Sequence, residues 1–177
     1  MKLCILLLTY DRFEYAERTL RSALDKIIWP DRLSVHIADD GSGEEYRQKL
    51  LDIAGGYANV QGVSVTNSER GGYGRNYNLA LQVVHTFADL ILPLEDDWEL
   101  RRELDLSPLI RVLLEHEEFG CIRMGYIGFT QSLRGEIIHV LANTYFRPDY
   151  DTPEPHVWAG HPRLETRQWQ REIGPWP

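Results

Sequence analysis

Along the first 95 residues two hydrophobic rhythms take turns. Lys2 to Thr9 is a continuous apolar run without alternation, the pattern of a central strand buried on both faces. From Phe13 to Leu24, Tyr15, Ala16, Thr19, Leu20, Ala23 and Leu24 fall at helical spacing. Leu33 to Ala38 predicts a second strand, running into Asp39-Asp40-Gly41-Ser42. Glu44 to Ala54 predicts a second helix, closed by Gly55-Gly56. Val60 to Val65 is a third strand, followed by a glycine-rich loop from Arg70 to Gly74. Arg75 to Phe87 carries Leu79, Ala80, Val83, Val84 and Phe87 on one helical face. Leu90 to Leu94 is a fourth strand, with Glu95-Asp96-Asp97 at its end. Such an alternation predicts an α/β fold with a mainly parallel central sheet covered by helices on both faces. Ligands of such sheets bind at the carboxyl ends of the strands. Three polar clusters occupy those ends: Thr9-Tyr10-Asp11, Asp39-Asp40 and Glu95-Asp96-Asp97.

After Trp98 the pattern loosens. Leu106 to Glu117 predicts a helix behind the start signal Ser107-Pro108. Cys121 to Phe129 and Glu136 to Phe146 predict two strands of a small antiparallel hairpin turning near Arg134-Gly135. Pro148 to Pro155 is a proline-bearing loop, and Pro162 to Ile173 predicts a last helix. At 177 residues the chain has room for a single domain, 1–177.

Composition narrows the function. A formal net charge of -8 repels phosphodiester backbones, so no nucleic-acid partner is expected. The apolar run Leu3 to Leu8 is far shorter than the ~20 residues of a membrane span. It ends at Asp11-Arg12 without a small-residue cleavage site, unlike a signal peptide. Cys4 and Cys121 each sit in an apolar stretch, as buried thiols of a reducing, cytoplasmic compartment do. None of the six histidines pairs with cysteine at zinc spacing.

Several nucleotide chemistries fail on the residues. The loop after the first strand, Thr9-Tyr10-Asp11-Arg12, has no glycine, so it is not a dinucleotide fingerprint. No P-loop pattern exists. A phosphatase-type loop over Val35 to Ser42 would place Ala38 as nucleophile, which cannot attack phosphorus. Four segments instead stand in the order found in the family 2 glycosyltransferases: ILLLTYDR (5–12), IADDGSGEE (37–45), NSERGGYGRNYNLAL (67–81) and ILPLEDDW (91–98). Over about its first 100 residues the chain resembles that family and its GT-A fold.

The resemblance implies a nucleotide-sugar-binding half, 1–100, and an acceptor-side half, 101–177. Thr9, Tyr10 and Asp11 would belong to the nucleotide-contacting loop. Asp40 would accept the imide hydrogen of uracil, which favours UDP, and Tyr10 could stack on the base. The competing role for the aspartates is capping the helix at Glu44, which Ser42 could fill alone. Arg75, at a helix start behind a glycine loop, suits phosphate oxygens, or a surface ion pair with Glu69 or Asp11. By resemblance Asp97 is the ligand of Mn²⁺ or Mg²⁺, Asp96 faces the ribose, and Glu95 the sugar or a metal-bound water. The bland alternative is a solvated acidic turn.

The implied activity is metal-dependent, inverting transfer from a nucleoside diphosphate sugar to a hydroxyl of a glycan, a lipid-linked or a small-molecule acceptor. In the family the base comes from a Glu-Asp pair just after a segment like REIGPWP (171–177), so the expectation is a C-terminally incomplete second half. Glu165 and Asp149 are not favoured as bases. His161 could touch acceptor or metal, although a lone histidine is more often structural, and Trp98 and Trp158 could stack on sugars. An inactive GT-A-like binding domain is the second reading. A nucleotidyltransferase is the third, weakened by the missing Gly-rich first loop that ends in Arg or Lys.

Overall fold

The structure, a computed structural model, describes residues 1–116, 118–124, 134–140, 142–149, 151 and 162–176. Strand β1 (Leu3–Thr9) is buried along its whole length and runs parallel to β3 (Leu33–Asp39) on one side and β5 (Leu90–Glu95) on the other. Strand β4 (Val60–Asn67) extends the sheet beyond β3, also parallel. Helices α1 (Phe13–Lys26), α2 (Glu44–Gly55) and α3 (Tyr73–Val84) make the crossovers.

The unbroken apolar run of β1 is explained by its two faces. Leu3, Ile5 and Leu7 pack with α1 and α2 in one core; Cys4, Leu6 and Leu8 pack with Tyr77, Ala80 and Val84 of α3 in the other. The sheet is thus helix-covered on both faces, as the sequence predicts.

From β1 the chain builds outward through β3 to β4, then returns across β1 to β5. The strand order therefore reverses at β1, and the crevice at the carboxyl ends of β1, β3 and β5 is where such sheets hold ligands. In register, Thr9 lies opposite Asp39 and Leu8 opposite Glu95.

The second half departs from its prediction in the placing of its strands and of its last helix. Cys121 does not enter a hairpin: β7 (Cys121–Arg123) pairs antiparallel with β10 (Arg163–Thr166), which pairs antiparallel with β5. The stretch expected to be one strand, Glu136 to Phe146, is itself the hairpin, β8 (Gly135–Val140) with β9 (Asn143–Pro148). The predicted helix at Pro162 begins later, as α5 (Arg167–Ile173), because Arg163 to Thr166 is drawn into the sheet. Thr166 caps α5 by accepting from the Trp169 N–H at 3.1 Å. Helix α4 (Ser107–Glu115) lies where expected, and the short pair β2 (Ile27–Ile28) and β6 (Leu104–Asp105) escaped prediction. Both cysteines are free thiols, and burial pushes the Cys121 thiol up to about 12.

One core residue carries a pH dependence. His36 on β3 is fully buried, with Nδ1 2.7 Å from Ser64 Oγ and Nε2 3.1 Å from Thr66 Oγ1. Burial lowers it from 6.5 to about 4. The unfolded chain takes up the proton first, so stability is full above the ordinary value and drains as pH falls toward the folded one. The expected loss between pH 7 and pH 5 is about 2 kcal/mol. Urea titrations at both pH values should show that share of the loss missing in His36→Gln; equal losses in the two proteins would clear His36.

Candidate active site

The turn after β3 is held from within. Asp39 is fully buried, accepts from the Ser42 N–H at 2.9 Å and from Ser42 Oγ, and pairs with Arg47 Nη1 at 3.1 Å. Gly41 takes φ +105, and a Cβ there would lie 3.1 Å from the Ser68 carbonyl oxygen. Ser42 does not cap α2. Its hydroxyl serves Asp39 and accepts from the Asp11 N–H at 2.9 Å, while the N-cap is Gly43, without a side-chain bond.

Asp40 ties this turn to the glycine loop. Its carboxylate accepts from Ser68 Oγ, from the Gly71 N–H at 2.7 Å and from the Gly72 N–H at 2.9 Å. Burial works against its charge, but these donors and the nearby Arg70 outweigh that and hold the carboxyl below its ordinary value. Gly72, at φ +83, turns the chain into α3. Arg70 also lies 4.7 Å over the ring of Tyr10, covering one of its faces. Asp40→Ala should cost about 2 kcal/mol, since charge-assisted hydrogen bonds are worth more than neutral ones and two backbone donors lose their partner. Denaturant unfolding measures it; an unchanged midpoint would mean water replaces the carboxylate freely.

The acidic triplet is divided. Asp96 is buried, and its carboxylate accepts from Thr9 Oγ1 at 3.0 Å and the Tyr10 N–H at 3.3 Å while pairing with Arg12 Nη2. Its carbonyl oxygen accepts from Thr19 Oγ1 at 2.8 Å. Asp97 is half exposed, with Arg12 Nη1 3.5 Å away. Glu95 is half buried; burial and then the charge of Asp97 push its carboxyl up, and Arg163 pulls it back.

These groups surround an open cavity of about 460 Å³, lined by Leu8, Thr9, Tyr10, Asp11, Arg12, Asp40, Tyr73, Asn76, Glu95 and Asp96. Its size is that of a small-ligand site. Asn76 is buried: its Nδ2 donates to the Ala38 carbonyl at 2.8 Å, and its Oδ1 finds no donor among the described residues.

Six sequence-predicted residues therefore line one cavity: Thr9, Tyr10, Asp11, Asp40, Glu95 and Asp96. Asp97 stands beside it through Arg12. Arg75 is exposed and packs against Gly71, where a Cβ would meet its Cδ; it is not among the lining residues. Trp98 lines a separate apolar cavity of about 170 Å³ with Leu92, Leu94 and Leu100. Glu165 is fully buried under Arg163, Tyr77 and Gln170, away from any role as an exposed base. His161 and Trp158 lie outside the described residues. Leu8, Arg12, Tyr73 and Asn76 also line the cavity without having been singled out by the sequence; for Arg12 a basic side chain directly after Thr9-Tyr10-Asp11 was the available signal.

Among the described residues no three side chains of metal-ligating type gather into a cluster. The donor set nevertheless suits a hard cation completed by its ligand. Asp97 leaves about half of its side chain (46%) open to solvent, and Glu95 is pushed toward protonation by burial and a like charge, which a divalent cation would relieve.

The model of glycosyl transferase family 2 matches residues 4–169. No curated protein matches the sequence. Among solved structures, S. aureus TarS 1-349 superposes with a TM-score of 0.68 at 19% identity, covering 100% of this chain and 50% of that one. The same protein in complex with UDP gives 0.65 at 17%, covering 98% and 49%. The mannosyltransferase PcManGT from Pyrobaculum calidifontis, in complex with GDP-Man and Mn²⁺, gives 0.67 at 14%, covering 99% and 47%. The present chain thus spans about half the length of these structures, and at such identities the likeness is one of fold.

Proposed function

The chain belongs to glycosyl transferase family 2, and from that premise we propose that it serves metal-dependent, inverting transfer of a sugar from UDP-sugar to an acceptor hydroxyl. The observation that supports the reading is the cavity at the point where the strand order reverses, lined together by Thr9, Tyr10, Asp11, Asp40, Glu95 and Asp96.

Within it, Tyr10 and Asp40 form the base end. One oxygen of Asp40 accepts from both Ser68 and Gly71, while the other, among the described residues, accepts from Gly72 and keeps a lone pair for an imide hydrogen. The orphaned Oδ1 of Asn76 suits a hydroxyl of the donor. Asp96, held by Thr9 and Arg12, fixes the floor beneath ribose and diphosphate. Arg75, in the first turn of α3 and packed against Gly71, would reach toward the phosphates. Mn²⁺ or Mg²⁺ held by Asp97, with Glu95 beside it, would neutralise the leaving diphosphate.

Calorimetric titration with UDP, GDP, CDP and dTDP, each with and without Mn²⁺, tests the reading. UDP should bind more tightly than CDP, because uracil N3–H can donate to the Asp40 carboxylate whereas cytosine N3 carries no hydrogen. CDP binding as tightly as UDP would remove the assignment of Asp40.

A further inference from the structure

Arg12 is the basic residue among those lining the cavity, and it is placed by two contacts of different kinds. Its Nη2 meets Asp96 Oδ1, on a carboxylate already fixed by Thr9 and Tyr10. Its Nη1 lies 3.5 Å from the half-exposed Asp97. The guanidinium also rests 5.6 Å from the ring centre of Tyr15 on α1. About half of its side chain remains open to solvent (49%), and the residue lines the cavity beside its buried anchor, Asp96. A planar five-donor group held at one edge keeps its other donors available for phosphate oxygens.

Three adjacent carboxylates would otherwise repel both one another and an incoming diphosphate. Resting the site on a fixed positive charge reduces that repulsion before any metal arrives.

We propose that Arg12 is the resident counter-ion of the cavity: it holds Asp96 and Asp97 together and presents positive charge to the donor's diphosphate, so that part of nucleotide binding is independent of divalent metal. The proposal rests on the nucleotide-sugar reading above and goes beyond it by assigning to the chain a share of the charge neutralisation expected of the metal.

The test is calorimetric binding of UDP and of uridine to the intact chain, to Arg12→Gln and to Arg12→Lys, each in EDTA and in Mn²⁺. Arg12→Gln should weaken UDP in EDTA by about tenfold or more, the worth of one charge-assisted hydrogen bond, with uridine changed less than about twofold. The gain in UDP affinity on adding Mn²⁺ should be larger in Arg12→Gln than in the parent, because the metal then replaces a missing charge. Arg12→Lys, which keeps the charge and loses the fork, should fall between the two. If Arg12→Gln does not fold, Arg12→Lys still decides: a loss confined to UDP supports the proposal. Several results overturn it: unchanged UDP affinity in EDTA, equal losses for UDP and uridine, an unchanged gain from Mn²⁺, or a parent protein that binds UDP only with metal. A parent that binds none of UDP, uridine and GDP under either condition removes the nucleotide reading as well, and so is told apart from failure of Arg12 alone.

Discussion

Arg163→Ala is expected to destabilise the fold by about 3–5 kcal/mol, the cost of stripping one partner from a buried ion pair. Arg163 and Glu165 both lie inside β10, almost wholly inaccessible to water. The guanidinium donates from Nε to Glu165 and lies 4.7 Å over the ring of Trp176 and 5.4 Å over that of Tyr77. Glu165 also accepts from the Tyr77 hydroxyl at 2.7 Å and from Gln170. Burial pushes the Glu165 carboxyl up and Arg163 draws it back. Without Arg163, Glu165 must take a proton or keep an unpaired charge, and the two rings lose the cation they enclose. Asn78 and Trp176 exchange hydrogen bonds at 2.8 and 2.9 Å, so the C-terminal segment is tied to α3 through the same cluster. The double substitution Arg163→Met with Glu165→Leu should regain most of the loss, since a well-packed apolar pair replaces both charges. Guanidinium titrations of the parent and both variants measure it. A cost below about 1 kcal/mol for Arg163→Ala would show the pair to be far better hydrated than its burial implies.

That pair also explains where the sequence misleads. Arg163-Leu164-Glu165-Thr166 has no strand-like apolar run, because two of its inward positions are charges that satisfy each other. The helical periodicity of the following residues then spreads backward and hides β10. The hairpin was misplaced for a related reason. β8 ends at Val140 and β9 begins at Asn143, and the intervening Leu141-Ala142 carries none of the Gly, Asn or Asp signals of a tight turn. By contrast, β1 and β5 are legible because burial on both faces demands nearly uninterrupted apolar runs, β3 is legible from Leu33, Val35 and Ile37 despite Ser34 and His36 between them, and the polar ends of all three stand out. Most of the cavity was visible for the same reason: a strand end is a fixed place in this architecture. Arg12 was not, since its partner Asp96 lies 84 positions away and only the β1–β5 pairing brings them together.

Asp97→Ala is expected to abolish the Mn²⁺-dependent part of UDP binding while leaving the fold intact. The two neighbouring aspartates differ in what they hold. Asp96 is buried and supports Thr9, the Tyr10 N–H and Arg12, so its removal orphans donors in the floor of the cavity. Asp97 has 46% of its side chain exposed and one ion-pair contact at 3.5 Å, so its loss should change stability by no more than about 0.5 kcal/mol. On the proposed reading, its partly open carboxylate is instead the group that would share a divalent cation with a diphosphate. If that sharing raises UDP affinity about a hundredfold, roughly 2.7 kcal/mol, the variant should lose all of it and bind UDP alike with Mn²⁺ and with EDTA. Asp96→Ala should show the opposite balance, losing stability first and keeping more of the metal dependence. Melting curves and UDP titrations of both variants, run with Mn²⁺ and with EDTA, read stability and metal dependence separately. Full metal dependence retained by Asp97→Ala would reduce the triplet to a solvated acidic turn, and the sugar-transfer reading would lose its metal.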